Sequence, residues 1–316
     1  MAEKRNKSRK KQTRPLIKSI VIGLLLVLFL AVELLGGGTG WDTLEVVLGG
    51  PSAGSIPAHP ADSAVHFIDV GQGDSVLLES GGEYALIDTG TSSAWESLQR
   101  YLDDQGVSRL KYLFISHIHA DHMGGAAKLL NALPVEKVLL PDLDKGPEPT
   151  TVSYEKMLLA IDEKNIPAEM ASVGTAYPLG SGMVTILGSG VESEDQNDTS
   201  TALRFDAGDL HFLATGDGEA AVEKDLLARG SNLQADLFKA GHHGSSTSNS
   251  LEFLTAVRPS LVVASCGLNN DYGHPHQETI DNCRAVGAEL LRTDLDGSVV
   301  VWAENGALQV LTEKER

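Results

Sequence analysis

Three histidines and one aspartate lie within six residues of the chain: His117, His119, Asp121 and His122. Side chains two residues apart in an extended strand point to the same side, so His117 and His119 can face one metal ion. Asp121 and His122 come where the predicted strand breaks into a loop, and they can turn toward a second ion about 3.5–4 Å from the first. A buried cluster of these groups would be difficult to satisfy without a metal. The segment therefore predicts a site for one or two metal ions.

Further residues that can bind metal follow two later strands. Asp217 ends a predicted strand, and its two carboxylate oxygens can bridge two cations; its alternative role is to cap the following helix. His242 and His243 are adjacent and are expected to point apart, so one would bind metal while the other orients a ligand or acts on the substrate. We favour His242 as the ligand. Imidazole with carboxylate suits Zn²⁺, whereas an oxygen-rich site poor in histidine also suits Mn²⁺.

Other polar residues near the strand ends are candidates for catalysis and substrate contact. Asp121 and His274 are the predicted catalytic residues, and the alternative for His274 is a structural role. The predicted substrate-binding residues are Asn197, Ser200, Ser245 and Asn269, and Ser245 has the alternative of capping the next helix. The histidines to which we assign no function are His59, His66, His211 and His276.

The predicted elements explain how these residues can meet. An apolar, β-rich run at residues 110–116 precedes the first cluster, and a helical pattern at residues 126–132 follows it. Short strands outnumber helices along the domain, yet helices recur between them. Two sheets with helices on their outer faces are the natural layering for this pattern, so we predict an α/β fold of the αββα type.

The first 63 residues differ in composition from the rest. Residues 1–18 are rich in Lys and Arg, and residues 19–35 are mostly apolar. This order predicts a single-pass signal anchor with a cytoplasmic basic end and an extracellular domain. A cleaved signal peptide, which would release the protein, is the main alternative, and a buried core helix is a weaker one. Residues 36–63 predict a flexible linker before a domain at residues 64–316.

Charge is divided unevenly along the chain, which has 25 Lys and Arg against 43 Asp and Glu. Residues 1–35 hold eight of the basic and two of the acidic residues, so the remaining 281 residues carry a formal charge of −24. A field of this sign repels polyanions and weakens the case for DNA as a partner of the folded domain. Cys266 and Cys283 lie in apolar surroundings and predict buried free thiols, with one disulfide as the alternative outside the cell.

Eight different short motifs lie in order between residues 64 and 312. They lie at residues 66–75, 86–90, 117–125, 197–200, 216–217, 242–245, 273–275 and 293–297. In this order they resemble the metallo-β-lactamase-fold hydrolases, in the branch that contains the extracellular domain of ComEC/Rec2-type competence proteins. The resemblance implies an αββα sandwich with the site at the edge of the sheets. It assigns metal binding to His117, His119, Asp121, His122, Asp217 and one of His242 and His243, supported by Asp69 and Asp88.

One motif departs from the β-lactamases, which place a further histidine between the first cluster and the bridging aspartate. Here only His211 lies in that interval, inside a predicted strand, and the corresponding region runs from Asn197 to Ser200. The first ion thus has fewer strong ligands, and lactam hydrolysis is disfavoured. We predict metal-assisted hydrolysis of phosphodiesters by an outward-facing, membrane-anchored enzyme, with nuclease activity as one form. The alternatives are hydrolysis of esters, lactones or phosphocholine-type groups at the cell envelope, and a non-catalytic metal-binding role in a membrane assembly.

Overall fold

The computed structural model describes residue 56 and residues 59–314. The predicted basic segment, the signal anchor and most of the predicted linker lie outside these residues. Within the described part of the chain, none of the helices has the length and hydropathy needed to span a bilayer. Ile56 and His59 fall in the predicted linker, yet Ile56 packs against Trp302, and His59 stacks on the same ring at a centroid distance of 5.8 Å.

The first sheet has eight strands in the order β15-β14-β1-β2-β3-β4-β5-β6. The strands are β1 Ser63–Phe67, β2 Val76–Ser80, β3 Glu83–Ile87, β4 Leu110–Phe114, β5 Val135–Leu140, β6 Ala168–Met170, β14 Val299–Glu304 and β15 Ala307–Thr312. Strands β15 to β3 pair antiparallel, and two-residue turns join β2 to β3 at Gly81-Gly82 and β14 to β15 at Asn305-Gly306. From β3 to β6 the pairing is parallel, because helical crossovers separate these strands.

The second sheet has seven strands in the order β13-β12-β11-β10-β9-β8-β7. The strands are β7 Ala176–Leu179, β8 Gly182–Ser189, β9 Thr201–Ala207, β10 Leu210–Ala214, β11 Leu237–Lys239, β12 Leu261–Ala264 and β13 Glu289–Arg292. Strands β7 to β10 are antiparallel, and β10 to β13 are parallel. The carboxyl ends of the parallel strands of a sheet share one edge, and at this edge loops can bring polar side chains together.

Helices cover the outer faces of both sheets. They are α1 Trp95–Asp104, α2 Ala120–Met123, α3 Ala126–Ala132, α4 Val152–Glu163, α5 Ala220–Arg229, α6 Leu251–Val257, α7 Gln277–Val286 and α8 Thr293–Asp296. The central core joins the facing sides of the two sheets, where the rings of Phe67 and Phe212 pack edge to face at 5.7 Å. Separate apolar layers bury α1, α3 and α4 against the first sheet and α5, α6 and α7 against the second. The predicted αββα layering is confirmed.

Strands β6 and β7 carry no clear strand pattern in the sequence. All three residues of β6 are exposed, so its sequence shows no alternation between apolar and polar residues. Strand β7 contains Pro178, which cannot donate to a neighbouring strand, and β7 accordingly lies at the edge of its sheet. Cys266 and Cys283 are buried free thiols, as predicted.

Candidate metal centre

The first metal-binding segment begins just beyond the end of β4. The imidazole Nε2 of His117 lies 3.0 Å from Nδ1 of His119, so both side chains reach one place although the chain bends at His117 and Ile118. Asp121 and His122 lie in the short helix α2, where the sequence predicted a loop. This helical turn brings the ring of His122 back to 4.1 Å from the ring of His117. Four candidate ligands from six residues are therefore close together.

Asp217 lies at the centre of the cluster. It follows β10, and its backbone N–H donates to the hydroxyl of Ser200 at 3.0 Å. Its Oδ2 lies 3.1 Å from Nε2 of His122 and 3.3 Å from Nε2 of His243, and it lies 3.9 Å from Nε2 of His117. One carboxylate thus faces imidazoles from both halves of the molecule, as a ligand shared between two cations would.

The structure places His243, rather than the favoured His242, among the buried ligands. Both residues have positive φ angles, 49° and 55°, which are uncommon for residues with side chains. The buried amide of Asn249 holds this backbone by accepting from the N–H of Gly241 at 2.8 Å and donating to the carbonyls of Gly241 and Ser245. His243 is buried and joins the tight group of possible ligands, whereas His242 lies at the rim with its Nε2 3.9 Å from Asp217.

Buried oxygen atoms face the Nδ1 sides of two imidazoles. Asp88 accepts from Nδ1 of His122 at 2.8 Å. The backbone carbonyl of Ser265 accepts from Nδ1 of His243 at 3.0 Å, and Oδ1 of Asp74 lies 3.2 Å from the same nitrogen. Each contact leaves Nε2 directed at the centre, which is the usual arrangement of a metal-binding histidine. Asp88 therefore occupies its predicted supporting position. Asp74 forms an ion pair with the buried Lys239 at 2.8 Å, and sequence reasoning had assigned a role to neither residue.

The predicted support from Asp69 is absent from the structure. Its Oδ1 accepts from the N–H of Gly71 at 3.1 Å, and its Oδ2 lies 3.3 Å from the amine of Lys314. Both carboxylate oxygens of Asp69 therefore have partners away from the metal centre, and the residue stabilises the turn after β1. That turn leads to Gly73, which packs so closely that an added Cβ would lie 2.4 Å from the carbonyl oxygen of Asp121. Two features of the sequence could have identified Asp74 and Lys239 as buried charged residues. Asp74 follows a glycine in a turn, and Lys239 lies in an otherwise apolar strand.

Electrostatics in the cluster reflect an excess of carboxylates. Burial alone would lower the pKa of His122 and of His243, but the surrounding carboxylates together outweigh burial and raise both pKa values well above the usual one. Asp217 acts on both imidazoles, with Asp88 at His122 and with Asp74 and Asp121 at His243. Burial would raise the pKa of Asp217, yet the two imidazoles hold it well below its usual range. At His117 burial is the dominant effect and holds the pKa of the imidazole well below its usual value. The carboxylates thus require nearby positive charge, which a bound cation can supply in place of protons.

The residues fit a pair of metal ions. Several buried polar atoms have no hydrogen-bond partner, including Nε2 of His122 and His243, Oδ1 of Asp217 and Oδ1 of Asn197. Such atoms are costly to bury unless something binds them. Ligand atoms around a tetrahedral ion with bonds of about 2.0–2.1 Å are about 3.3 Å apart, close to the 3.0–3.3 Å separations observed.

Two ligand groups share Asp217. His117 and His119 with Asp217 would hold one ion, and Asp121, His122 and His243 with Asp217 would hold the other. Nε2 of His243 lies 3.2 Å from Oδ2 of Asp121, which completes the second group. The first group contains no third histidine among the described residues, in keeping with the departure noted in the sequence.

A cavity of about 350 Å³ opens over the ligands. Its lining residues are Gln72, His119, Ala120, Asp121, Asn197, Asp217, His242, His243, Tyr272 and His274. Nearly all of these side chains are polar. A larger depression of about 640 Å³ lies between α1, α3 and α4, but its lining includes none of the predicted site residues. The smaller cavity is therefore the candidate active site.

Three of the predicted substrate and catalytic residues, Asp121, Asn197 and His274, line this cavity. His274 stacks on Tyr272 at 5.5 Å, and its buried Nδ1 has no partner. Burial, with help from neighbouring imidazoles, lowers the pKa of His274 to about 4, so it is neutral at pH 7 and retains one N–H to donate.

Three other predicted substrate contacts lie outside the cavity lining. Ser200 accepts the N–H of Asp217, and Ser245 accepts the N–H of Thr247, so backbone groups occupy both hydroxyls. Asn269 is exposed in a turn with φ of 54°. These residues shape the loops because their polar groups stabilise the turns in which they lie.

Residues 68–267 match the family described as the Metallo-beta-lactamase superfamily. The chain belongs to the metallo-β-lactamase superfamily. It is 30% identical over 264 residues to ComE operon protein 3 of Bacillus subtilis (strain 168), covering 77% of this chain and 33% of that protein. It is 33% identical over 260 residues to Competence protein ComA of Neisseria gonorrhoeae, covering 78% and 33%. The chain thus spans about a third of the length of these relatives.

Solved structures agree on the fold. The metallo-β-lactamase fold protein YhfI from Bacillus subtilis superposes with a TM-score of 0.53 at 14% identity, covering 79% of this chain and all of that one. Tm1679, described as a metal-dependent hydrolase of the β-lactamase superfamily, gives 0.50 at 18% identity, covering 73% and 95%. With its candidate metal site, the protein is a metal-dependent hydrolase of this superfamily, related to competence proteins.

Proposed function

We propose that this hydrolase is a phosphodiesterase, anchored in the membrane with its domain facing outward. The observation that carries the proposal is Asp217, which is shared by two ligand groups at the base of a polar cavity. Two cations so placed lower the pKa of bound water and neutralise the attacking and leaving oxygens of a phosphodiester. Zn²⁺ is our first candidate and Mn²⁺ our second, because the ligands are imidazoles and carboxylates.

The residues around the cavity have distinct tasks in this proposal. Asp217 is the ligand that the two groups share and fixes their relative position. Asp121 orients the solvent molecule that attacks. The amide of Asn197 and the imidazole N–H of His274 contact the oxygens of the substrate, since both side chains line the cavity. A neutral His274 binds and orients the leaving oxygen by donating one hydrogen bond.

Size and charge favour short substrates. The cavity of about 350 Å³ lies in a domain whose sequence is strongly acidic, and a long polyanion would be repelled. The likeness to competence proteins brings DNA into consideration, and single-stranded fragments are the form that the charge tolerates best. The orientation toward the outside rests on the basic and apolar order of residues 1–35.

The polar lining argues against the two alternatives. An ester or lactone hydrolase would gain from an apolar pocket, and Ala120 is the one aliphatic residue in this lining. A purely structural metal site would have its ligands closed off from solvent, whereas 32% of the Asp121 side chain is exposed, and this residue faces the cavity.

The decisive experiment assays the purified full-length chain in detergent on bis-p-nitrophenyl phosphate, a single-stranded oligonucleotide and p-nitrophenyl acetate, each with Zn²⁺ or Mn²⁺. We expect phosphodiester cleavage that Asp121→Ala reduces about 100-fold or more. His211→Gln is the matched control, because His211 pairs with Asp206 outside the cavity. Cleavage of the acetate alone would favour the esterase, and equal rates for wild type and Asp121→Ala on every substrate would exclude catalysis at this site.

A further inference from the structure

A second group of metal-binding side chains lies on the outer face of the first sheet. It consists of His59, His66 and Glu79, whose candidate ligand atoms all lie within 4.8 Å of one another. His66 is on β1, Glu79 is on β2, and His59 precedes β1 in the segment predicted to be a linker. None of the three lines the candidate active-site cavity. We propose that these residues bind a structural transition-metal ion, with Zn²⁺ as the preferred class.

The separations fit one ion. Oε2 of Glu79 lies 3.2 Å from Nε2 of His59 and 3.4 Å from Nε2 of His66. Both values match the edge of about 3.3 Å expected between ligand atoms around tetrahedral zinc. The second separation is long for a hydrogen bond, and Nε2 of His66 has no hydrogen-bond partner although the residue is fully buried. A buried, unpaired imidazole nitrogen aimed at a carboxylate is what a metal ligand requires.

Neighbouring residues already orient the ligands. Nδ1 of His66 lies 2.9 Å from the hydroxyl of Tyr101 on α1, which leaves Nε2 free to face Glu79. Trp302 stacks on the ring of His59 at 5.8 Å with an interplanar angle of 25°. Support of this kind fixes both the tautomer and the ring plane of a ligating histidine. Tyr101 is thus a positioning residue that holds His66 without touching the ion.

Charge supports the same reading. Two neutral imidazoles and one carboxylate complement a divalent cation, and the side chain of Glu79 retains 19% exposure, through which a water could complete the coordination. The ion would join the residues just before β1 to the sheet and so anchor the chain where the domain begins.

The test is a count of zinc per full-length chain, together with the affinity of each site, in wild type, His59→Gln and Glu79→Gln. We expect each variant to bind one zinc ion fewer than wild type while cleaving bis-p-nitrophenyl phosphate within about twofold of the wild-type rate. His211→Gln is the matched control, because it removes a histidine paired with Asp206 and should bind as wild type does. Tyr101→Phe should keep the ion and weaken its binding about 10- to 100-fold.

His59→Gln is the variant least able to disturb folding, because His59 lies outside the strands and helices. Circular dichroism of each variant separates loss of the ion from loss of the fold. Equal zinc content and equal affinity in wild type, His59→Gln and Glu79→Gln would overturn the second site. That result would leave the phosphodiesterase proposal untouched, because its own variant, Asp121→Ala, lies in the other cluster.

Discussion

The buried pair of Lys239 and Asp74 gives the sharpest test of how the metal centre is stabilised. The Lys239 side chain is only 2% exposed, and its Nζ lies 2.8 Å from Oδ2 of Asp74 and 2.7 Å from the carbonyl oxygen of Ala240. Oδ1 of Asp74 in turn lies 3.2 Å from Nδ1 of His243. When ions are bound, the neighbouring imidazoles are neutral, so Lys239 is the protein's nearest positive charge to this carboxylate. We therefore expect Lys239→Met to destabilise the metal-loaded protein strongly.

The size of this effect can be worked from the environment of Asp74. Burial alone would raise its pKa, and Lys239 is the largest of the groups that lower it. Removal of one partner from a buried ion pair costs about 3–5 kcal/mol in measured cases. We thus expect Lys239→Met to lower the free energy of unfolding by about 3 kcal/mol.

Urea unfolding of the zinc-loaded protein at neutral pH measures this loss. Lys137→Met is the matched control: Lys137 pairs with Glu169 at 3.1 Å, but the two side chains are 33% and 44% exposed. That exposed pair should contribute no more than about 1 kcal/mol. Asp74→Asn combined with Lys239→Met should lose less than the sum of the single losses, since it leaves neither charge unpaired. Equal, small losses in Lys239→Met and Lys137→Met would refute the reasoning.

Three further predictions concern the candidate centre. Asp88→Asn should weaken zinc binding about 10- to 100-fold in a chelator competition, because it removes the carboxylate that orients His122. Gly73→Ala should lower kcat/KM about 100-fold by displacing Asp121. Gly71→Ala is the control and should leave activity unchanged, because Gly71 also has a positive φ but no atom lies within 4 Å of the added carbon. In metal-free protein the raised pKa of His122 stabilises the fold, and this stability is fully present below the unfolded pKa near 6.5. It is lost as the pH rises from there toward the folded pKa, so the urea midpoint should fall over that range. A rising midpoint would contradict this.

Much of the fold could be predicted because most of its elements carry a local signal. Helix α3 has the predicted bounds of 126–132, and strand β4 lies within the predicted run at residues 110–116, because their apolar residues carry the helical or strand pattern. The exceptions are informative. Strand β6 is short and exposed, and β7 contains Pro178, so both exist because a sheet edge was available for pairing.

For the metal centre, the sequence alone determined residue types and their order along the chain. The spacing of His117, His119, Asp121 and His122 confines them to one strand end, whatever the rest of the fold does. Asp217 is recognisable from a second strand end. This information predicts a metal site and a hydrolytic class of reaction, because it depends on local spacing and on donor chemistry.

Tertiary structure alone decided which neighbours complete that site. Two consecutive left-handed residues turn His243 into the cluster, and the Asn249 side chain that stabilises this backbone comes from six residues further along. Asp74 and Lys239 meet from different sheets, so no local spacing marks their contact. The same is true of His59 and Glu79, which are 20 residues apart in sequence and adjacent in space. Spacing specifies contacts within one turn or one strand, whereas contacts between sheets depend on how the whole core packs.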